Sequence, residues 1–436
     1  MFLSYIAIVL FAVGFLVFTW KYFDLAVGAL IIFFPTYLIR LSLGPLPSTI
    51  LELAFGIIFL VWLIRYAKDG VGDIYEIIQK NKIFFILLLI FLASSIVGVF
   101  VSDMPLKSLG QWRAYFLEPI LLFFILLSEQ KKISPQKIIL FLGFSSLSIT
   151  LYSVFQAVTG IGIATPEWTN LATRRVTAFY TSPNAVGLYV APLTALIFFM
   201  LFRQEYKLKN KLEINKNFFR SKNTVLYLPL ILLGFAAILF SKSEGAIAAL
   251  LVGFALMFFL LGYKKLVIGI MTLGMLLAFL IAPVRRAVLF QDQSGKNRLT
   301  LWSYTWNYVT QSPENFIEGA GIRQFFRKIQ KPYYDVKKME RLIYPHNILL
   351  NFWSEIGLFG MISFAGICGY IFGLGFKILK KNVFFGAALL ASLVIIFIHG
   401  MVDVPYFNND LAMLFWVITS LFFYPTQNYI VDDFKK

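Results

Sequence analysis

The chain has 436 residues, of which 59% are hydrophobic and only 14% charged, and its mean hydropathy is +0.78. Soluble globular domains carry about 25% charged residues, so this composition excludes an ordinary water-soluble fold. The net charge of +17 fits cytoplasmic loops that fix membrane topology better than it fits nucleic-acid binding, and no nucleic-acid partner is expected. A single cysteine, Cys368, and two histidines build neither a disulfide framework nor a dedicated metal site, so no metal and no cofactor are expected.

The apolar runs are long and continuous, which predicts helices rather than the short alternating segments of a barrel. Met1 to Trp20 has no Lys or Arg ahead of Lys21, lacks the basic start of a cleavable signal, and reads as a retained first span. Further spans are predicted at 24–42, 48–66, 81–101, 110–128, 136–158, 184–202, 223–240, 244–262, 265–282, 347–378, 384–402 and 410–424. Only Lys21 to Asp24 separates the first two, so twelve is the alternative to thirteen. The expected fold is an all-α polytopic membrane protein of about 12–13 transmembrane helices, one integral membrane domain over 1–436, with a long loop at 283–346 that contains short helices.

Lys and Arg are unevenly divided between the two sides. Twenty fall on one side, including seven from Arg203 to Lys222, whereas the short loops of opposite parity hold only Arg40, Lys107, Arg113, Arg174, Arg175 and Lys242. The first set is therefore expected to be cytoplasmic and the long loop extracytoplasmic. That loop nevertheless carries eleven Lys/Arg from Arg285 to Arg341, among them Arg323 and Lys338. The topology rule weakens for long loops, so this excess points to an anionic partner: lipid headgroups, a diphosphate or an acidic glycan.

Within the loop, Leu299, Trp302, Trp306 and Val309 recur at helical spacing and predict a short amphipathic helix with Arg298 near its start. The planar guanidinium suits phosphate oxygens. His346 follows Pro345 and opens a helix on which Asn347, Asn351, Ser354 and Glu355 share one face. The positive end of that helix favours a neutral imidazole able to accept a proton, and a capping or interfacial histidine is the bland alternative. Gly319-Ala320-Gly321 reads as a tight turn, and Arg113 and Glu118 as an intramembrane pair. Near the C-terminus, His399, Asp403, Asn408, Asn409 and Asp410 bracket the last turn, where Asp403 either orients a histidine, binds sugar hydroxyls or is merely solvated.

Taken in order, Arg174-Arg175 with Phe179-Tyr180-x-Ser182-Pro183-Asn184, then Ser243-x-Gly245-Ala246, Asn297-Arg298-x-x-x-Trp302, Gly319-x-Gly321, His346-Asn347, Glu355-x-Gly357-x-x-Gly360 and a terminal Asp403 resemble the O-antigen ligase and polymerase family of bacterial membrane glycosyltransferases. The resemblance spans roughly 170–420 and implies a GT-C-like fold. It also implies transfer of a glycan from an undecaprenyl diphosphate carrier to an acceptor hydroxyl outside the bacterial cytoplasmic membrane. By the same likeness Arg175 and Arg298 hold the leaving diphosphate, His346 activates the acceptor, Asp403 is a further functional acid, and Arg174, Asn347 and Arg323 are candidate substrate contacts. The family's usual Ser-Arg-Gly-Ala reads Ser243-Glu244-Gly245-Ala246 here, and no role is carried over to Glu244. A polymerase using a second lipid-linked repeat shares these motifs, and a lipid-linked oligosaccharide flippase is the alternative from another class, although no internal repeat supports it.

Overall fold

The computed structural model describes residues 2–43, 46–209, 217–337 and 340–425. Each of the thirteen apolar stretches carries a helix, and the protein is an all-α polytopic membrane protein. Among the described residues, seven helices are long and apolar enough to cross a membrane alone, and two bent pairs raise the number to nine. The bent pairs are Ile50–Arg65 with Ala67–Lys80, at 94°, and Lys264–Leu280 with Ala282–Val309, at 104°. Ile6–Lys21, Phe23–Ile32, Glu244–Leu260 and Asn409–Leu421 are shorter apolar helices. Each apolar run thus located a helix, but some helices are shorter than the run that marked them, and others, such as Ala67–Lys80, lie outside the runs. Of the basic residues counted above, Lys211, Lys216 and Lys338 lie outside the described residues.

The clearest departure is at 24–42, where one continuous span was expected. The helix ends at Ile32, a 3-10 turn follows at Phe34–Leu38, and the chain enters an antiparallel hairpin pairing Arg40–Leu43 with Leu46–Thr49. Pro35, in the first turn of the 3-10 segment, has no N–H to continue the preceding helix. The adjoining helix Ile50–Arg65 starts on a capping box, with Thr49 accepting from the Glu52 N–H while Glu52 accepts from the Thr49 N–H.

Glu52 does more than cap. Its carboxylate also takes Arg113 Nη2 at 2.6 Å and Asn409 Nδ2 at 3.1 Å, while Arg113 Nε lies 3.1 Å from Glu118. The expected Arg113–Glu118 pair is thus part of a larger cluster joining three distant helices. It sits on a π-helical turn, Arg113–Leu117, inside the Pro105–Ser128 span. Apolar packing completes the centre of the bundle, where Phe91, Phe352, Phe364, Tyr406 and Trp416 are fully buried and pack ring against ring. Lys264–Leu280 has no buried residue and lies at the periphery, along Glu244–Leu260.

The long loop at 283–346 folds over one end of the bundle around a small core of its own, made by Leu301, Tyr304, Ala320, Phe325 and Ile329. The helix Gln293–Val309 begins earlier than expected, capped by Asp292, so Arg298 lies in its second turn. Its buried stripe is Leu301, Thr305 and Val309, with Arg298 one turn before, whereas Leu299 and Trp306 are exposed. The Gly319–Gly321 turn pins the loop down, since the Ala320 N–H donates to Ser354 and the Ile322 N–H to Gly98. Both glycines have positive φ and press on backbone atoms, Gly319 on Trp353 and Ser354 and Gly321 on Ser102, so no side chain fits there. The Ile348–Leu379 helix breaks at Ile356 and Gly357, which separates a short segment that carries polar residues from the span beyond it.

Removing Arg113 strands two buried carboxylates, a loss of about 3 kcal/mol. Arg113→Ala is therefore expected to lower the unfolding free energy in detergent by that order. The triple variant Glu52→Gln, Arg113→Met, Glu118→Gln should recover most of it. Equal destabilisation of the two variants would show that the charges contribute nothing beyond packing.

Candidate active site

Three consecutive residues after the Val383–Gly400 helix hold groups from remote parts of the chain. The Met401 carbonyl accepts from Asn347 Nδ2 at 3.2 Å, and the Val402 carbonyl accepts from Arg298 Nε at 2.9 Å. Asp403 Oδ1 meets His346 Nδ1 at 3.1 Å. One turn thereby brings together the loop helix, the start of the Ile348–Leu379 helix and the end of the helix before it.

His346 is half-buried with φ +53°, a left-handed conformation uncommon outside glycine. It directly precedes the N-cap, because the helix is capped by Asn347, whose Oδ1 accepts from the Leu349 and Leu350 N–H groups, both at 3.1 Å. Asn347 therefore spends both ends of its amide on the backbone, fixing the helix start against the turn. The strained backbone of His346 is the conformation that turns its ring toward Asp403.

Asp403 is buried and fully engaged. Its Oδ2 accepts from Asn184 Nδ2 at 2.9 Å and its Oδ1 also accepts from the Val404 N–H at 2.9 Å. Burial alone would push the carboxyl up, but the charges of His346 and His399 and the hydrogen bonds from His346 and Val404 outweigh it, holding Asp403 below its ordinary value. An ionised Asp403 only accepts, so the hydrogen between the two belongs to His346 Nδ1.

His399, the other histidine, is buried in the same region. A Cβ on Gly245 would come within 3.0 Å of its ring, and one on Gly187 within 3.3 Å. Gly245, in the Ser-Glu-Gly-Ala stretch, thus makes room for an imidazole. Among the described residues His399 Nδ1 has no hydrogen-bond partner.

Arg298 donates through Nε only, among the described residues, leaving the terminal nitrogens of its fork unused. Arg175 is anchored by carbonyls at the end of another helix, Ser241 at 3.0 Å and Lys242 at 3.2 Å, and lies over Trp168. Burial lowers the Arg175 pKa, Glu244 opposes this and the like charge of Arg298 adds to it, so the two arginines are near enough to sense each other. Glu244, the departure from the family pattern, therefore tempers a concentration of positive charge.

The other predicted residues lie around this centre in different ways. Arg174 gives its donors to the carbonyls of Ala157, Val158 and Thr169, tying down the end of the Pro135–Thr159 helix. Arg323 is exposed with φ +67°, its N–H donating to the buried Glu355. In the Phe-Tyr-x-Ser-Pro-Asn stretch, Tyr180 donates to the buried Asp410 at 2.9 Å while Asn184 holds Asp403. Two aspartates of the last turn are thus each held by one residue of that motif.

Comparison with known families supports the resemblance over part of the chain. Residues 229–365 match the family model described as O-antigen ligase. Over this stretch, about a third of its length, the chain is similar to the O-antigen ligase family. The match contains Arg298, Glu355 and His346. The O-antigen ligase match does not reach Arg175, His399 or Asp403, which join the site through geometry. No curated protein matches the chain.

Sequence reasoning gave Asn184, Tyr180 and His399 no part in the site. The signal available was polarity: an Asn, a Tyr and a His at the ends of apolar runs, where buried polar groups need partners.

Because Asp403 is held below its ordinary value, its ionised form stabilises the folded state above the unfolded aspartate pKa of about 3.9, and that contribution is lost as the pH falls further. The stability gap between the wild type and Asp403→Asn is expected to be full near neutrality and to close on acidification below that value. A gap independent of pH would mean that the carboxylate charge is not what His346 and Asn184 engage.

Proposed function

We propose that the protein transfers a glycan from undecaprenyl diphosphate to an acceptor hydroxyl on the outer side of the bacterial cytoplasmic membrane. The acceptor is a glycolipid, as for a ligase, or a second lipid-linked repeat, as for a polymerase. The observation that carries this reading is the joining of His346, Asp403 and Arg298 at one turn, within charge range of Arg175.

A sugar hydroxyl is a weak nucleophile, and a base within hydrogen-bond reach removes its proton as it attacks. Asp403 fixes His346 with Nε2 as acceptor and stabilises the imidazolium that forms. The acceptor oxygen bonds to the anomeric carbon as the bond from that carbon to the diphosphate oxygen breaks. The departing diphosphate gathers negative charge, and the free nitrogens of Arg298 together with Arg175 stabilise it in fixed positions. A single displacement inverts the anomeric centre. Arg323 and the other cations of the loop add a positive field that favours an anionic lipid carrier.

The purified protein supplied with a lipid-diphosphate glycan and candidate acceptors is expected to transfer the glycan. His346→Ala should reduce the rate by about 10²–10⁴-fold, the range of general-base catalysis. Arg298→Lys, which keeps charge but loses the planar fork, should fall between wild type and Arg298→Ala. Undiminished transfer by His346→Ala would overturn the assignment of the base. Carrier translocation without transfer would favour the flippase.

A further inference from the structure

A cavity at the other end of the bundle takes no part in the proposed transfer. It encloses about 770 Å³. Six charged residues line it: Asp73, Glu76, Lys80, Lys131, Lys377 and Lys381. Leu127, Leu374 and Phe423 supply an apolar wall.

The Ile348–Leu379 helix shows how the two places are related. Its start bears Asn347 and the site, and its last turn bears Lys377. The twenty residues from the break at Gly357 to Lys377 rise about 30 Å at 1.5 Å per residue, the thickness of a hydrocarbon core. The cavity therefore opens at the opposite membrane interface, the side where the basic residues of the short loops gather.

Its charges do not cancel. Lys131 pairs with Asp73 at 3.0 Å and Lys80 with Glu76 at 3.4 Å. Among the described residues, Lys377 and Lys381 have no carboxylate within ion-pair distance. Lys377 in the last turn of the helix and Lys381 just beyond its end line the same space. The combination is an interfacial cavity with a surplus of two positive charges and one apolar wall. A zwitterionic headgroup gains little there, because its own cation meets the lysines, whereas a phosphodiester with an uncharged substituent complements them.

We propose that this cavity binds the headgroup of an anionic phospholipid in the leaflet opposite the candidate active site. The phosphate sits between Lys377 and Lys381, and the first carbons of the acyl chains lie along Leu374 and Phe423. The site is independent of the transfer reaction, and its occupancy can be read without any activity measurement.

The test is native mass spectrometry of the full chain released from nanodiscs of equal parts phosphatidylglycerol and phosphatidylcholine. Wild type is expected to retain phosphatidylglycerol preferentially, and Lys377→Ala with Lys381→Ala to reduce that preference at least several-fold. Replacing both by Arg should preserve it. Lys264→Ala with Lys265→Ala, which removes the same charge outside the cavity, should leave it unchanged. An equal fall in both alanine pairs would overturn the proposal in favour of diffuse interfacial attraction, and so would no preference in wild type. Displacement of the lipid by millimolar soluble glycerol phosphate would mean that the cavity recognises free phosphate, which also contradicts a lipid site.

Discussion

The candidate site depends on the turn at Met401–Asp403. Its two carbonyls and one carboxylate take hydrogen bonds from Asn347, Arg298 and His346, and the carboxylate takes a fourth from Asn184. Three segments that are remote in sequence, at Asn184, Arg298 and His346–Asn347, are registered against three residues. Because the turn follows the Val383–Gly400 helix, which is almost wholly buried, it is held by the rigid interior of the bundle. His346 and Arg298, the proposed base and leaving-group cation, are anchored to the same turn, and fixed relative positions of that kind are what the proposed displacement requires.

Around this turn the chain meets the cost of burying polar groups by pairing them over long distances. Asp403 is satisfied from two helix ends, Asp410 by Tyr180, and Glu52 by Arg113 and Asn409. Asp403, Asn409 and Asp410 lie within eight residues and are all buried, so the last turn expected from the sequence is a polar hub at one end of the bundle. The long loop contributes Arg298 and closes over this end. It can do so because glycines at 319, 321 and 357 allow its backbone to press directly on neighbouring backbone.

Hydrophobicity made the helical membrane fold legible, since burying backbone in lipid leaves few alternatives to a helix. Helix spacing announced the loop helix, and Pro345-His346-Asn347 announced the start of the next one, one residue early. The exact buried stripe of the loop helix was not legible, because Trp302 and Trp306 look like core residues while the core takes Leu301 and Thr305. The hairpin pairing Arg40–Leu43 with Leu46–Thr49 was hidden between apolar runs, where Pro35, Gly44, Pro45 and Pro47 break the pattern. Of the candidate site, His346, Arg298, Arg175 and Asp403 were nameable by motif. Their partners were not, since Asn184 is 219 residues from Asp403 and Arg298 is 104 residues from Val402. Pairing at such separations leaves no local pattern to read.

The central claim is that one diphosphate lies between Arg298 and Arg175 with the acceptor side open to His346 Nε2. An experimental structure of the protein with undecaprenyl diphosphate in a nanodisc addresses it directly. The account predicts diphosphate density within hydrogen-bond distance of the terminal nitrogens of Arg298, next to Arg175, with His346 still held by Asp403. Density for the diphosphate elsewhere, with Arg298 and His346 left facing solvent, would contradict it.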